Sequence, residues 1–215
     1  MSSEPLVSAI MPTRNRHGFI QRAFQYFSAQ TYPNKQLVVM DDSDNAIREN
    51  LPENCLYEYS FRRRSVGLKR NLCCSMAEGE IIVHWDDDDY SAPGRIADQV
   101  DRMRTTGAKI TGYHSMMFED LGTNRYWVYS GRPGYALGTS LCYLRAYWED
   151  RPFLDLQCGE DNQFQAGASV VTVPAGKLML ARIHGGGTMK RNMAFLGRQK
   201  EWKSIPSEEW EGASA

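Results

Sequence analysis

The first hundred residues alternate between apolar runs of strand length and stretches whose apolar positions recur at helical spacing. Leu6–Pro12 (LVSAIMP) is a short, nearly unbroken apolar run that stops at a proline, the pattern of a buried strand. In HGFIQRAFQYFSAQ, Ile20, Ala23, Phe24 and Phe27 share one helical face. KQLVVMDDSD is a second strand that runs into acidic, polar residues. VGLKRNLCCSMAE places Leu68, Leu72, Cys73 and Met76 on one stripe, a helix that Gly79 is expected to close. EIIVHW is a further strand, and APGRIADQVDRMRTTG a further helix, with proline near its start and glycine at its end.

Strands alternating with helices imply an α/β domain, a mostly parallel central sheet flanked by helices on both faces. The lack of strict polar alternation in these strands agrees with burial on both sides. In such sheets ligands gather at the carboxyl ends of the strands. Three polar clusters stand there: Thr13-Arg14-Asn15-Arg16, Asp41-Asp42-Ser43-Asp44 and Asp86 to Asp89.

The last cluster is the most unusual, because adjacent carboxylates repel and cannot all ionise comfortably without a cation. Mg²⁺ or Mn²⁺ resolves that conflict with one or two carboxylates, water and substrate phosphates. In extended chain alternate side chains point the same way, so Asp86 and Asp88 are expected to face one site.

Composition adds boundaries. A chain of 215 residues fits one domain and buries a core without disulfides. The net charge of −1 offers no global argument for nucleic acid or membrane binding. The five cysteines lack paired metal-site spacing, which suggests reduced thiols in the core. Neither a basic-then-apolar leader nor a run of about 20 apolar residues is seen, so no signal peptide and no membrane span are expected, and a cytoplasmic location follows.

With these residues in view, the chain resembles the GT-A fold glycosyltransferases, in particular family 2. WDDDDYSAP is similar to the family's Asp-x-Asp segment, SAIMPTRNR to its opening strand and loop, and AQTYPNKQLVVMDDSD to its second strand and acidic turn. SVGLKRNLCCSMAEGEIIVHWDDDD resembles the block leading into the Asp-x-Asp segment, with Cys74 where a glycine is frequent. The resemblance is strong over residues 6–101.

It implies a metal-dependent, inverting transfer of a sugar from a nucleoside-diphosphate sugar, UDP favoured, to a hydroxyl acceptor, with Mn²⁺ or Mg²⁺ as cofactor. Residues 5–101 would form the nucleotide-sugar half, 102–195 the acceptor half and 196–215 a tail. Pro12, Thr13 and Arg14 would line the nucleotide pocket, and Asp42 would accept from the base. Arg70 would reach the diphosphate or shape the metal side. Asp86 would bind ribose or support the metal, with Asp87 beside it on the donor side. Asp88 would coordinate the metal, and Asp89 would support it or contact the donor sugar.

In the second half, Gly159-Glu160-Asp161 in PFLDLQCGEDNQFQAGA begins a helix and is similar to the family's Glu-Asp motif. Asp161 is the first choice for the base that deprotonates the acceptor, and Glu160 the second. His184, between an apolar strand and three glycines, resembles the late metal-binding histidine of some GT-A enzymes, with Lys190 and Arg191 placed to neutralise a leaving diphosphate. Trp127, Tyr129 and Tyr135 are acceptor-site candidates because aromatic faces stack on sugar rings. Arg62-Arg63-Arg64 with Lys69 and Arg70 is the densest basic patch, either a solvated loop or a contact to a phosphate-bearing acceptor.

The acceptor stays open among glycans, proteins, small molecules and modified nucleic acid. A sugar-phosphate nucleotidyltransferase would begin with a glycine-rich basic loop where this chain has PTRNR. A silent sugar-nucleotide-binding module is the other alternative. GRQKEWKSIPSEEWEGASA reads as a mixed, flexible C-terminus.

Overall fold

Four strands, β1 (Val7–Thr13), β2 (Lys35–Asp41), β3 (Cys55–Tyr59) and β4 (Ile81–His84), lie parallel in the order β3-β2-β1-β4 in the computed structural model, which describes residues 4–47, 50–187 and 193–210. Their alternating side chains feed two cores. Val7, Ala9, Met11, Leu37, Val39, Ile81 and Val83 face Ile20, Ala23, Phe24 and Phe27 of α1 (His17–Ser28). Ile10, Val38, Met40 and Ile82 point the other way, onto Cys73 and Cys74 of α2 (Val66–Met76). Burial on both faces is why these strands carry no polar alternation.

β3 gave no such signal. It is the edge strand, only five residues long, with Leu56 and Glu58 turned to solvent.

Helix α2 is capped by Ser65, whose Oγ accepts from the Leu68 N–H at 3.1 Å. Its end departs from expectation. The chain leaves the helix at Ala77 in extended geometry (φ −67°, ψ 134°), so Gly79 is no helix cap. The glycine is needed instead because a Cβ there would stand 2.6 Å from Ser8 Oγ on β1 and 2.7 Å from the O of Leu6, the residue before that strand.

After the two-residue β5 (Tyr90–Ser91), α3 (Arg95–Thr106) adds Ile96, Val100 and Met103 to the first core and ends at left-handed Gly107 (φ 67°).

The second half is built on the long β6 (Ile110–Asp120) and is mixed rather than parallel. β6 pairs antiparallel with β7 (Arg125–Ser130) and β8 (Cys142–Leu144), and β8 joins it to β4. Two short helices follow, α4 (Arg145–Asp150) and α5 (Glu160–Gln165). Then β9 (Val170–Pro174) and β10 (Met179–Ile183) lie parallel to β6, and β10 also holds β5.

Residues 202–210 are not a loose tail. Beyond α6 (Met193–Leu196), β11 (Trp202–Ile205) pairs antiparallel with β7, and Trp202 and Trp210 are buried. The five cysteines are free, and burial pushes the thiols of Cys74 and Cys142 up to about 12. Among the described residues no helix is long and apolar enough to cross a membrane.

Candidate active site

Register brings the polar clusters together. β1 and β2 end opposite each other at Thr13 and Asp41, while His84 closes β4 opposite Ile10. Trp85, 1% exposed, then anchors the chain in the core, its ring edge-on to Phe27 at 5.9 Å and 5.1 Å from the Arg95 guanidinium. The chain therefore leaves the sheet at a fixed point, and its four aspartates fan out from there.

Asp87 turns back toward β1. Its Oδ2 accepts from Thr13 Oγ1 at 2.5 Å and its Oδ1 from Arg16 Nη1 at 2.6 Å. Asp88 Oδ2 accepts from the same Arg16 Nη1 at 2.7 Å and faces His184 Nε2 at 2.9 Å. Gly186 N–H donates to His184 Nδ1 at 3.2 Å, which assigns the imidazole proton to Nε2. Asp89 accepts from Thr139 Oγ1 at 2.6 Å and from the Arg182 N–H at 2.9 Å. Asp86 pairs at 3.6 Å with Arg70.

One oxygen each from Asp86, Asp88 and Asp89 lies within 4.8 Å of the others, an all-carboxylate donor set suited to Mg²⁺ or Mn²⁺. The electrostatics agree with that fit. Burial, then Asp88 and Asp86, push Asp89 up to about 8. Asp87 is pushed up to about 6 by burial against the pull of Arg16. For Asp88 burial opposes ionisation, but the His184 hydrogen bond and Arg16 outweigh it and hold the carboxyl below its ordinary range.

The facing wall carries the acidic pair at the start of α5. Glu160 is buried and pairs with Arg70 Nε at 3.4 Å; burial raises its pKa and Arg70 opposes the rise. Asp161 opens onto the cavity, its Oδ1 accepting from the Asn162 N–H at 2.9 Å. Arg70 thus spans from Asp86 to Glu160. Behind it His84 is held neutral by burial and by the guanidinium, with Nδ1 2.6 Å from Gly138 O.

Between the walls lies a cavity of about 540 Å³, within the usual range for ligand sites. Pro12, Arg14, Arg70, Asp86, Asp87, Asp88, Glu160, Asp161, His184 and Tyr135 all reach it.

Four expected site residues stand elsewhere. Thr13 sits behind Asp87. Asp42 is sealed, its Oδ1 taking Lys69 Nζ at 2.8 Å and its Oδ2 the Arg64 N–H at 2.7 Å, so it presents no open face to a nucleobase. Trp127 and Tyr129 pack against a third core, built on Met116 and Phe118 of β6 and Met179 and Ala181 of β10, with Tyr129 5.1 Å from Trp202 and Trp127 packed on Gly197. Lys190 and Arg191 lie outside the described residues. Of the basic run, Arg62 is exposed while Arg63 and Arg64 line the cavity.

Sequence reasoning assigned no role to Arg16, Thr139 or Arg182. Arg16 was visible in the first polar cluster, whereas Thr139 and Arg182 meet Asp89 only through long-range packing.

Residues 8–157 match Glycosyl transferase family 2, well over half of the chain. The chain is 26% identical over 155 residues to a putative glycosyltransferase, EpsE, of Bacillus subtilis, which covers 66% of this chain and 56% of that protein. It is 30% identical over 105 residues to WcaA of Escherichia coli, a putative colanic acid biosynthesis glycosyl transferase, covering 45% of this chain and 37% of the other. The chain spans about half the length of the curated relatives it matches. Among solved structures, S. aureus TarS (residues 1–349) with UDP-GlcNAc superposes with a TM-score of 0.68 at 20% identity, covering 85% of this chain and 60% of TarS. The mannosyltransferase PcManGT of Pyrobaculum calidifontis, solved with GDP-Man and Mn²⁺, gives 0.65 at 17% identity, covering 87% and 59%. These superpositions identify the fold as GT-A, and by its sequence match the chain is a member of glycosyl transferase family 2.

Proposed function

We propose that this domain transfers a glycosyl group from a nucleoside-diphosphate sugar to an acceptor hydroxyl, in one inverting displacement. The observation that carries the reading is the arrangement of two acidic walls across one cavity, the Asp86, Asp88, Asp89 group on one side and Asp161 on the other. Asp86, Asp88 and Asp89, with His184 beside them, would hold Mn²⁺ or Mg²⁺. A bound cation there supplies electrophilic stabilisation of charge on the departing diphosphate.

The chain's own residues do the rest. Arg14, Arg63 and Arg64 line the donor side and bind negative charge. Arg70 fixes Asp86 and Glu160 relative to each other. Asp161 takes the proton of the acceptor hydroxyl, whose oxygen attacks the anomeric carbon as the sugar–phosphate bond breaks, so the configuration inverts. Tyr135, on the wall beside Asp161, offers a face for the acceptor; its hydroxyl donates to Asn162 Oδ1.

UDP is the proposed nucleotide, on the family resemblance around the acidic turn and the UDP-GlcNAc of the TarS structure. With Asp42 sealed, contact to the base falls to the Pro12 and Arg14 side. Acceptor glycan, protein, small molecule or modified nucleic acid all remain within the proposal.

The test is turnover of isotope-labelled UDP-sugars and GDP-sugars by the wild type and by Asp161→Asn. Removing a general base is expected to lower kcat about 10²–10⁴-fold. Undiminished transfer by the variant would refute the assignment of the base.

A further inference from the structure

Most glycines that a fold retains are there for a left-handed backbone or for close approach of another chain segment. Gly138 has no conformational reason. It is absent from the positive-φ residues and opens a short 3-10 turn, Gly138–Ser140. What excludes a side chain is Asp161. A Cβ on Gly138 would overlap Asp161 Oδ2 outright and stand 2.7 Å from its Cγ and 3.0 Å from its Cβ.

The turn beneath that carboxylate cannot retreat. Arg95 Nη2 donates to Thr139 O at 3.0 Å and Gln99 Nε2 to Ser140 O at 2.6 Å, both from buried positions on α3. Ser140 Oγ donates to Leu137 O at 2.7 Å, and His84 Nδ1 lies 2.6 Å from Gly138 O. Thr139 Oγ1, the next side chain, donates to Asp89 Oδ2 at 2.6 Å. One clamped turn therefore touches both acidic walls.

We propose that Gly138 is a positioning residue, its bare Cα the platform that sets where the Asp161 carboxylate lies. Through Thr139 the same turn sets Asp89, so the separation of the two walls is fixed by a single rigid element. The inference rests on the reading of Asp161 as the base. Because the turn is held from below and the nearest atoms are the carboxylate end of Asp161, an added methyl displaces that carboxylate rather than the turn.

The experiment is a cycle of Gly138→Ala, Asp161→Ala and the double variant, in the full chain. Melting temperature, UDP binding with Mn²⁺, and kcat and KM with a labelled donor are read for each. Gly138→Ala is expected to bind UDP like the wild type and to keep its donor KM. Its kcat should fall on the order of 10²-fold, the scale of an ångström-sized misplacement. The double variant should turn over no more slowly than Asp161→Ala, because both changes act through one group. Any loss of melting temperature in Gly138→Ala should vanish in the Asp161→Ala background.

Wild-type kcat in Gly138→Ala beside an impaired Asp161→Ala would overturn the positioning role alone. So would a loss that multiplies in the double variant. Full turnover by Asp161→Ala would overturn the base assignment itself. Should Gly138→Ala fail to fold, recovery of the fold in the double variant would support the collision with Asp161, and continued misfolding would overturn it.

Discussion

Arg16 is a cation placed among carboxylates, and its removal exposes what it balances. Its guanidinium meets Asp87 and Asp88 within 2.7 Å and also donates to Gly186 O at 3.1 Å. Leaving buried carboxylates without their partner costs about 3–5 kcal/mol. Arg16→Ala should therefore melt well below the wild type without added metal, and Mn²⁺ should restore more stability to the variant than to the wild type. Thermal melts at a series of Mn²⁺ concentrations check this; equal Mn²⁺ responses in the two proteins would show that Arg16 and a cation do not share the cluster. Lys69 offers a contrasting case. Its ammonium is buried between Thr13 O at 3.0 Å and Asp42 Oδ1 at 2.8 Å, paired with Asp42 rather than with the acidic group. Lys69→Met strands Asp42 and should lower unfolding stability by a similar ~3–5 kcal/mol in urea melts, with no change in the Mn²⁺ response.

Elements differ in how openly the sequence declares them. β1, β2, β4, α1 and α3 were legible because each is buried on a face or on both, which leaves an unbroken apolar run or a helical stripe. Gly107 also behaved as read, since its position requires a left-handed residue. Gly79 was misread for an instructive reason. A glycine after a helix is normally a cap, but this one serves β1, a contact with no local signature. Gly79→Ala should accordingly cost about 1–3 kcal/mol, the range for overpacking a filled core, while leaving helix content by circular dichroism unchanged. A loss of helical signal instead would restore the capping role. The strands of the second half were harder to see. β5 and β8 are two and three residues long, and β7 (RYWVYS) mixes aromatics with polar residues, so Trp127 and Tyr129 could be taken for ligand-binding rings. They join a core because the chain's C-terminal part, distant in sequence, lays Trp202 against Tyr129 and Gly197 against Trp127. The site divides the same way. Asp86, Asp88, Asp89, Glu160 and Asp161 stand in compact motifs, while the residues set against them, Thr139 and Arg182 at Asp89 and Gly138 at Asp161, come from other strands and turns.

At the scale of the molecule, the parallel half delivers an acidic group and the mixed half delivers Asp161, and the cavity between them joins the two. A ligand that bridges both halves should stabilise the whole domain and not one part of it. Burial together with Asp88 and Asp86 pushes Asp89 up to about 8, so full ionisation of the acidic group is resisted until a cation enters it. A nucleoside diphosphate entering alone brings further negative charge next to those carboxylates. With a divalent cation the repulsion becomes attraction, so binding should be strongly metal-linked. UDP at about 100 times its dissociation constant should raise unfolding stability by about 2.7 kcal/mol when Mn²⁺ or Mg²⁺ is present. The same UDP concentration with EDTA should shift the melt far less, and a GDP series alongside identifies the base. Asp88→Ala should abolish the metal-dependent part of the shift while the protein still folds, because Asp87 keeps its contacts with Thr13 and Arg16. An equal UDP shift in Mn²⁺ and in EDTA would mean that the diphosphate is held by Arg14, Arg63 and Arg64 alone, and that the carboxylates serve the sugar instead of a cation.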